Sequence, residues 1–170
     1  MWERAHPPNI FLFLLNCRKK FQLQPKERFV IIEFMKILIV DAQGGGMGRQ
    51  LVASIRREFP RAEITAVGTN SIATSNMLKA GADHAATGEN AVIVGSRKAD
   101  IIIGPVGIAI ADSMYGEITP GMAAAVGQSD AKKLLIPMNQ CNNVIIGVKN
   151  TSMSFMMDAV IEQLRNEEVI

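Results

Sequence analysis

Apolar and polar positions along this chain fall in blocks. Ile37, Leu38, Ile39 and Val40 form an unbroken apolar run, as do Ile101, Ile102 and Ile103. Such runs suit strands buried on both faces, as in a parallel sheet covered by helices. Leu51, Val52, Ile55 and Phe59 recur at helical spacing up to Pro60 and predict an amphipathic helix starting near Gly48. Residues 63–68 read as a second strand, and Thr69, Asn70 and Ser71 offer N-caps for a helix running to about Ala80, where Gly81 stops it. Residues 82–87 hold a short strand, residues 91–98 a short helix and residues 100–104 another doubly buried strand. The stretch 108–128 has helical composition broken by Gly116 and by Thr119-Pro120, which predicts two short helices, the second with Pro120 in its first turn. Residues 133–138 and 144–148 read as the last strands, and Met153, Met156, Met157, Val160, Ile161 and Leu164 as a final helical stripe that packs on the sheet.

Strands alternating with helices imply an α/β fold: a three-layer, doubly wound, mostly parallel sheet of Rossmann-like type, ordered 3-2-1-4-5-6. Five residues between the last two strands are too few for a helical crossover, so the final strand is expected to run antiparallel or to lack a βαβ link. In such sheets ligands lie beyond the carboxyl ends of the strands, at the switch point beside the first one. Residues 44–48, 69–70, 87–90, 104–107 and 139–142 are polar or glycine-rich and all fall at that edge.

The first of these loops carries the chemistry. Gly44, Gly45, Gly46 and Gly48 directly follow the first strand and open the first helix, where bare N–H groups at a positive helix end favour phosphate. Against the dinucleotide fingerprint G-x-G-x-x-G, Gly44 and Gly46 fit, but the third glycine comes one position early, at Gly48. Thr69 and Asn70 stand where that fingerprint has an acid for the ribose 2′-hydroxyl. Without that acid a 2′-phosphate is tolerated, and NADP is favoured over NAD. Against G-x-x-x-x-G-K-[ST], aligned on Gly48, the chain has Gln43, Arg49 and Gln50 at the other defining positions. ATP or GTP with magnesium therefore ranks below a dinucleotide. The expected cofactor contacts are Gly44, Gly45, Gly46, Met47, Gly48, Arg49, Thr69, Asn70, Gly104 and Pro105, and the expected substrate contacts Thr87, Glu89, Asn90 and Asn139.

Asp41 precedes the loop and would repel a phosphate unless protonated, turned away or neutralised by magnesium; bracing of the loop's N–H groups is the plainer role and a magnesium bridge the sharper one. The weak catalytic candidates are His84 as acid/base, beside strand-edge residues and near Glu89, and Cys141 as nucleophile in a loop at the ligand edge, with no His near it in sequence to activate it. Asp112 and Glu117 either flank the crevice or are solvated helix acids. With only Cys17 and Cys141 in 170 residues, zinc spacing is absent and a reducing cytoplasm is the simplest setting.

Composition divides the chain at Met35. Residues 1–34 hold Trp2, five of the seven Phe and no Gly, with six Lys/Arg against three Asp/Glu. The expectation is a non-domain leader, either a mis-assigned start or a disordered extension, followed by one nucleotide-binding domain over residues 35–170. The apolar run 10–15 falls short of the roughly 20 residues needed to span a bilayer. The near-neutral domain lacks the clustered cations of a nucleic-acid surface. The partners expected are a nucleotide ligand and, through an unassigned helix face, a second copy in a homodimer.

Several ordered motifs carry a resemblance: Asp41-Ala42-Gln43-Gly44-Gly45-Gly46-Met47-Gly48, Gly68-Thr69-Asn70, Lys79-Ala80-Gly81-Ala82-Asp83, Ala86-Thr87-Gly88-Glu89-Asn90-Ala91, Ile103-Gly104-Pro105 and Gly116-Glu117-Ile118-Thr119-Pro120. The chain resembles a family of small bacterial proteins classed as a domain of unknown function, over nearly all of residues 35–170. The family pattern has lysine where this chain has Arg49, which keeps the charge and changes its reach. The resemblance implies no activity. Binding of a phosphate-bearing nucleotide, a small oxidoreductase or group-transfer enzyme using it, and a structural protein without ligand therefore stand as the three expectations.

Overall fold

The computed structural model describes residues 35–138, 143–148 and 152–166. Strands β1 (Lys36–Asp41), β2 (Glu63–Gly68), β3 (His84–Thr87), β4 (Ile101–Pro105) and β5 (Lys132–Ile136) alternate with helices α1 (Gly46–Glu58), α2 (Ser71–Lys79), α3 (Glu89–Lys98) and α4 (Pro120–Gln128), and α5 (Met153–Arg165) follows. All strand pairs are parallel, in the order β3-β2-β1-β4-β5. The chain is thus a doubly wound α/β sheet whose order reverses between β1 and β4, and β1 sits at its centre.

Burial explains the layers. Ile37 and Ile39 point to one face with Leu51, Val52, Ile55 and Phe59 of α1, Met77 of α2 and Met157, Val160, Ile161 and Leu164 of α5. Leu38 and Val40 point to the other face with Val92 of α3 and Met122, Ala123 and Val126 of α4. Burying a side chain of this size contributes about 1.5–3 kcal/mol, so both faces of β1 are required. The methionine stripe of α5 is therefore core packing, as expected. The helix starts also follow the sequence: the Asn70 side chain accepts from the N–H groups of Ile72 and Ala73, and Thr119 accepts from Met122 ahead of Pro120.

Two segments differ from expectation. Among the described residues the sheet has five strands, because 144–148 is irregular and turns at Gly147 (φ 87°). Val144 and Ile146 are 72% and 89% exposed there, so the apolar run finds no face to bury against. Between β4 and α4 the chain forms a 3-10 turn, Val106–Ala109, and then a short turn, Ser113–Gly116, with Asp112, Met114, Tyr115 and Gly116 at φ of 60°, 54°, 59° and 82°. This left-handed path replaces the first of the two expected helices. It is held by Met114 and Ile118 in the core and by the Ser113 hydroxyl, which donates to the Gly107 carbonyl at 2.6 Å.

Candidate functional site

β1 ends on Asp41, whose buried carboxylate turns back into the loop it precedes. Oδ1 accepts from the Ala42 N–H at 2.8 Å and Oδ2 from the Gly48 N–H at 2.6 Å. Burial raises its pKa; the hydrogen bonds from Gly48 and Ala42 oppose that rise, and the nearby Glu117 charge adds to it. Both oxygens are thus engaged by the loop's own backbone, which is the bracing role. Among the described residues no three His, Cys, Asp or Glu side chains are grouped to share a metal ion.

The loop glycines divide by what surrounds them. Gly45, at φ 65°, forms the N-cap of α1, and a Cβ there would lie 2.5 Å from the Ala73 Cα. At Gly48 a Cβ would strike the Met77 sulfur and lie 2.8 Å from the Asp41 Cβ. At Gly68 it would lie 2.5 Å from the Thr74 nitrogen. These positions let the loop and the end of β2 close onto the first turns of α2. At Gly44 and Gly46 nothing lies within 4 Å of a built Cβ.

Thr69 and Asn70, at the end of β2, meet a residue from the far side of the switch point. Glu117 Oε2 accepts from the Gln43 N–H at 2.9 Å, from Asn70 Nδ2 at 2.9 Å and from the Thr69 hydroxyl. Asn70 Nδ2 also donates to the Gln43 carbonyl at 2.9 Å, and Asn76 Nδ2 to the Gly44 carbonyl at 2.9 Å. Partial burial works to raise the Glu117 pKa, but the hydrogen bonds from Thr69, Gln43 and Asn70 outweigh it and hold the carboxyl below its ordinary range. The loops after β1 and β2 and the segment before α4 are therefore one hydrogen-bonded unit.

Arg49 is exposed one turn into α1. With Gln50 and Ala53 of the same helix, Asn76 and Lys79 of α2 and Ala80 just after it, it lines an open groove of about 370 Å³. Met47 is buried in the core beneath the loop.

The other expected residues fall at both edges of the sheet. Gly104 and Pro105 are buried inside β4, where a Cβ on Gly104 would strike the Val40 carbonyl oxygen, so they serve strand packing. The Thr87 hydroxyl is 2.7 Å from that of Thr74 on α2. Glu89 and Asn90 are exposed at the start of α3, with the Glu89 carboxylate lying over Gly121 of α4. His84 opens β3 opposite Thr65 and so lies at the amino end of the sheet, away from the loops described above. It neighbours Asp83, which is held below its ordinary pKa against the pull of burial by the Ile64 N–H and by Arg56 at 2.6 Å. Asn139 and Cys141 lie outside the described residues. Sequence reasoning left Glu117 undecided and missed Gln43 and Asn76. No local sequence signal marks either one: Gln43 meets Asn70 from 27 residues away and Asn76 meets the Gly44 carbonyl from 32.

Among the described residues no helix is long and apolar enough to cross a membrane. No curated protein matches the chain. Among solved structures the chain is similar to a dodecameric FMN-dependent UbiX-like decarboxylase from Escherichia coli O157:H7, with 18% identity over 76% of each chain and a TM-score of 0.41. The motifs around the loops have a family counterpart that spans the whole sheet: over residues 36–169 the chain belongs to the family described as Domain of unknown function (DUF3842).

Proposed function

We propose that the protein binds a phosphate-bearing nucleotide or dinucleotide at the 44–48 loop, with phosphate over the first turn of α1. The observation that carries this reading is the state of Gly46 and Met47. Both begin a 13-residue helix, their N–H groups have no partner among the described residues, and the space above Gly46 is open. Unpaired donors at the positive end of a helix attract anions. Arg49 and Gln50 follow Gly46 by three and four residues and share its helix face. Arg49 and Lys79 line the adjoining groove, and neither is paired with a carboxylate among the described residues. Asp41 directs its charge inward to Gly48 and Ala42, which lessens its opposition to a phosphate on the outer lip.

A structural reading without ligand is favoured by Gly45 and Gly48, whose packing alone requires glycine. It gives no reason for Gly44 or Gly46.

Thermal unfolding with NADP, NAD, ATP and GTP, each with and without magnesium, tests the proposal. A ligand at about 100 times its dissociation constant adds about 2.7 kcal/mol to stability. The expected result is a raised midpoint with at least one nucleotide, lost in Gly46→Asp and reduced in Arg49→Ala. The Gly46→Asp carboxylate suits a helix N-terminus, so the fold survives while an anion is repelled. The reading fails when no nucleotide moves the midpoint, or when the shift survives both substitutions.

A further inference from the structure

Dinucleotide sites of this fold class carry an acid at the end of the second strand that accepts the ribose hydroxyls. Here that stretch is Thr69-Asn70, yet a carboxylate is present at the same place, brought from 47 residues further along the chain. We infer that Glu117 reads the ribose, so that the ligand carries an unphosphorylated ribose, of NAD or 5′-AMP type, and a 2′-phosphate is rejected. The inference rests on the nucleotide reading of the loop and narrows its ligand class.

The two oxygens of Glu117 differ. Oε2 is fixed by Gln43, Thr69 and Asn70, whereas no donor among the described residues reaches Oε1. A carboxylate held by one oxygen presents the other as an oriented acceptor, which suits the hydroxyl donors of a ribose. The three donors are Gln43, just before the loop that would hold the phosphate, and Thr69 and Asn70 after β2, so the Glu117 carboxylate lies beside that loop.

The route by which Glu117 arrives is also informative. Met114 and Tyr115 take left-handed backbone conformations that side chains other than Asn and Asp avoid, and Asp112 takes one beside them. Strain of this kind persists only where the surroundings enforce it, and it concentrates at functional sites. Met114, buried within the turn, and Ile118, buried just after Glu117, anchor it. Charge completes the argument. No Lys or Arg contacts Thr69, Asn70 or Glu117 among the described residues, and Asp41 lies close enough to add repulsion. A 2′-phosphate would bring further negative charge to a place with no counter-ion, and like charges so juxtaposed disfavour the complex strongly.

The test compares NAD with NADP, and 5′-AMP with adenosine 2′,5′-bisphosphate, by titration calorimetry on the full chain and on Glu117→Gln and Glu117→Asp. The wild type is expected to bind the unphosphorylated member of each pair at least about tenfold more tightly. Glu117→Gln keeps an acceptor for the three donors and is expected to abolish that preference, while Glu117→Asp keeps its sign. Tyr115 is the sole tyrosine, so 3-fluorotyrosine labelling yields one resonance that verifies the turn in each variant. Equal or tighter binding of the 2′-phosphorylated ligands by the wild type overturns the inference, as does an unchanged ratio in Glu117→Gln with the resonance unmoved. If Glu117→Gln does not fold, the wild-type ratio alone decides. Failure of every ligand to bind sinks the inference together with the nucleotide reading. Binding that depends on Gly46 but ignores Glu117 sinks the inference alone.

Discussion

The inner and outer glycines of one short loop do different work. Gly45 and Gly48 are enclosed: the first backs onto the α2 backbone, the second onto Met77 and Asp41. Gly44 and Gly46 face open space. A glycine cluster after a central strand is usually read as a ligand signature. Here half of it is explained by packing, because α2 closes onto the loop so tightly that no methyl group fits between them. Packing leaves only the outer half unexplained. The comparison also separates two carboxylates. Asp41 is turned inward onto the loop's N–H groups, whereas Glu117 joins the loop to its neighbours and leaves one oxygen free.

The largest effect expected is on the inner side. Gly45→Ala meets both a left-handed backbone and the main chain of Ala73, which cannot swing aside, so a loss of about 2–4 kcal/mol is expected in urea unfolding. Gly48→Ala should cost less, about 1–3 kcal/mol, because the Met77 sulfur is the far end of a flexible side chain. A loss below a few tenths of a kcal/mol at both positions would show that the loop is not enclosed as described.

Asp41→Ala leaves the Ala42 and Gly48 N–H groups without their acceptor, at a cost of about 1–3 kcal/mol. Its pH dependence has a definite sign. The folded pKa of Asp41 is raised, so its contribution is fully present below the ordinary value of 3.8 and declines as pH rises through the folded value. Glu117 behaves oppositely. Its folded pKa is lowered, so its contribution of about 1 kcal/mol is present above the ordinary value of 4.5 and is lost as pH falls through the folded value. Stability measured between about pH 3 and 7 should therefore show Asp41→Ala costing most in acid and Glu117→Gln costing most near neutrality. Parallel profiles for the two variants would remove the distinction between them.

Much of this arrangement was legible in the sequence, and what escaped has physical causes. The apolar run 37–40, the stripe from Leu51 to Phe59 and the caps Asn70 and Thr119 are local signals, and they predicted β1, α1, α2 and α4 correctly. The run 144–148 has strand composition, but pairing needs a neighbour, and the left-handed Gly147 turns the chain instead. Glu117 was undecidable because its place depends on left-handed residues at Met114 and Tyr115, where the sequence carries no turn signature before Gly116. His84 could have been placed better from the sequence. It starts a four-residue strand in a parallel sheet, and residues that start such strands lie at the edge opposite the ligand crevice.

The smallest effect discriminates most sharply between the two halves of the loop. Gly46 is the first residue of α1, its backbone is not left-handed, and no atom stands within 4 Å of a built Cβ. Gly46→Ala should therefore raise stability by about 0.4–1 kcal/mol through loss of unfolded-state freedom, the reverse in sign of Gly45→Ala one residue earlier. If the outer glycines are bare so that a phosphate can approach the backbone closely, the added methyl group should weaken nucleotide binding even as it stabilises the fold. Measuring midpoint and dissociation constant on the same variant tests both at once. A stabilised variant with undiminished affinity would return Gly46 to the structural reading, because a position that tolerates a side chain in both respects was not kept open for a ligand.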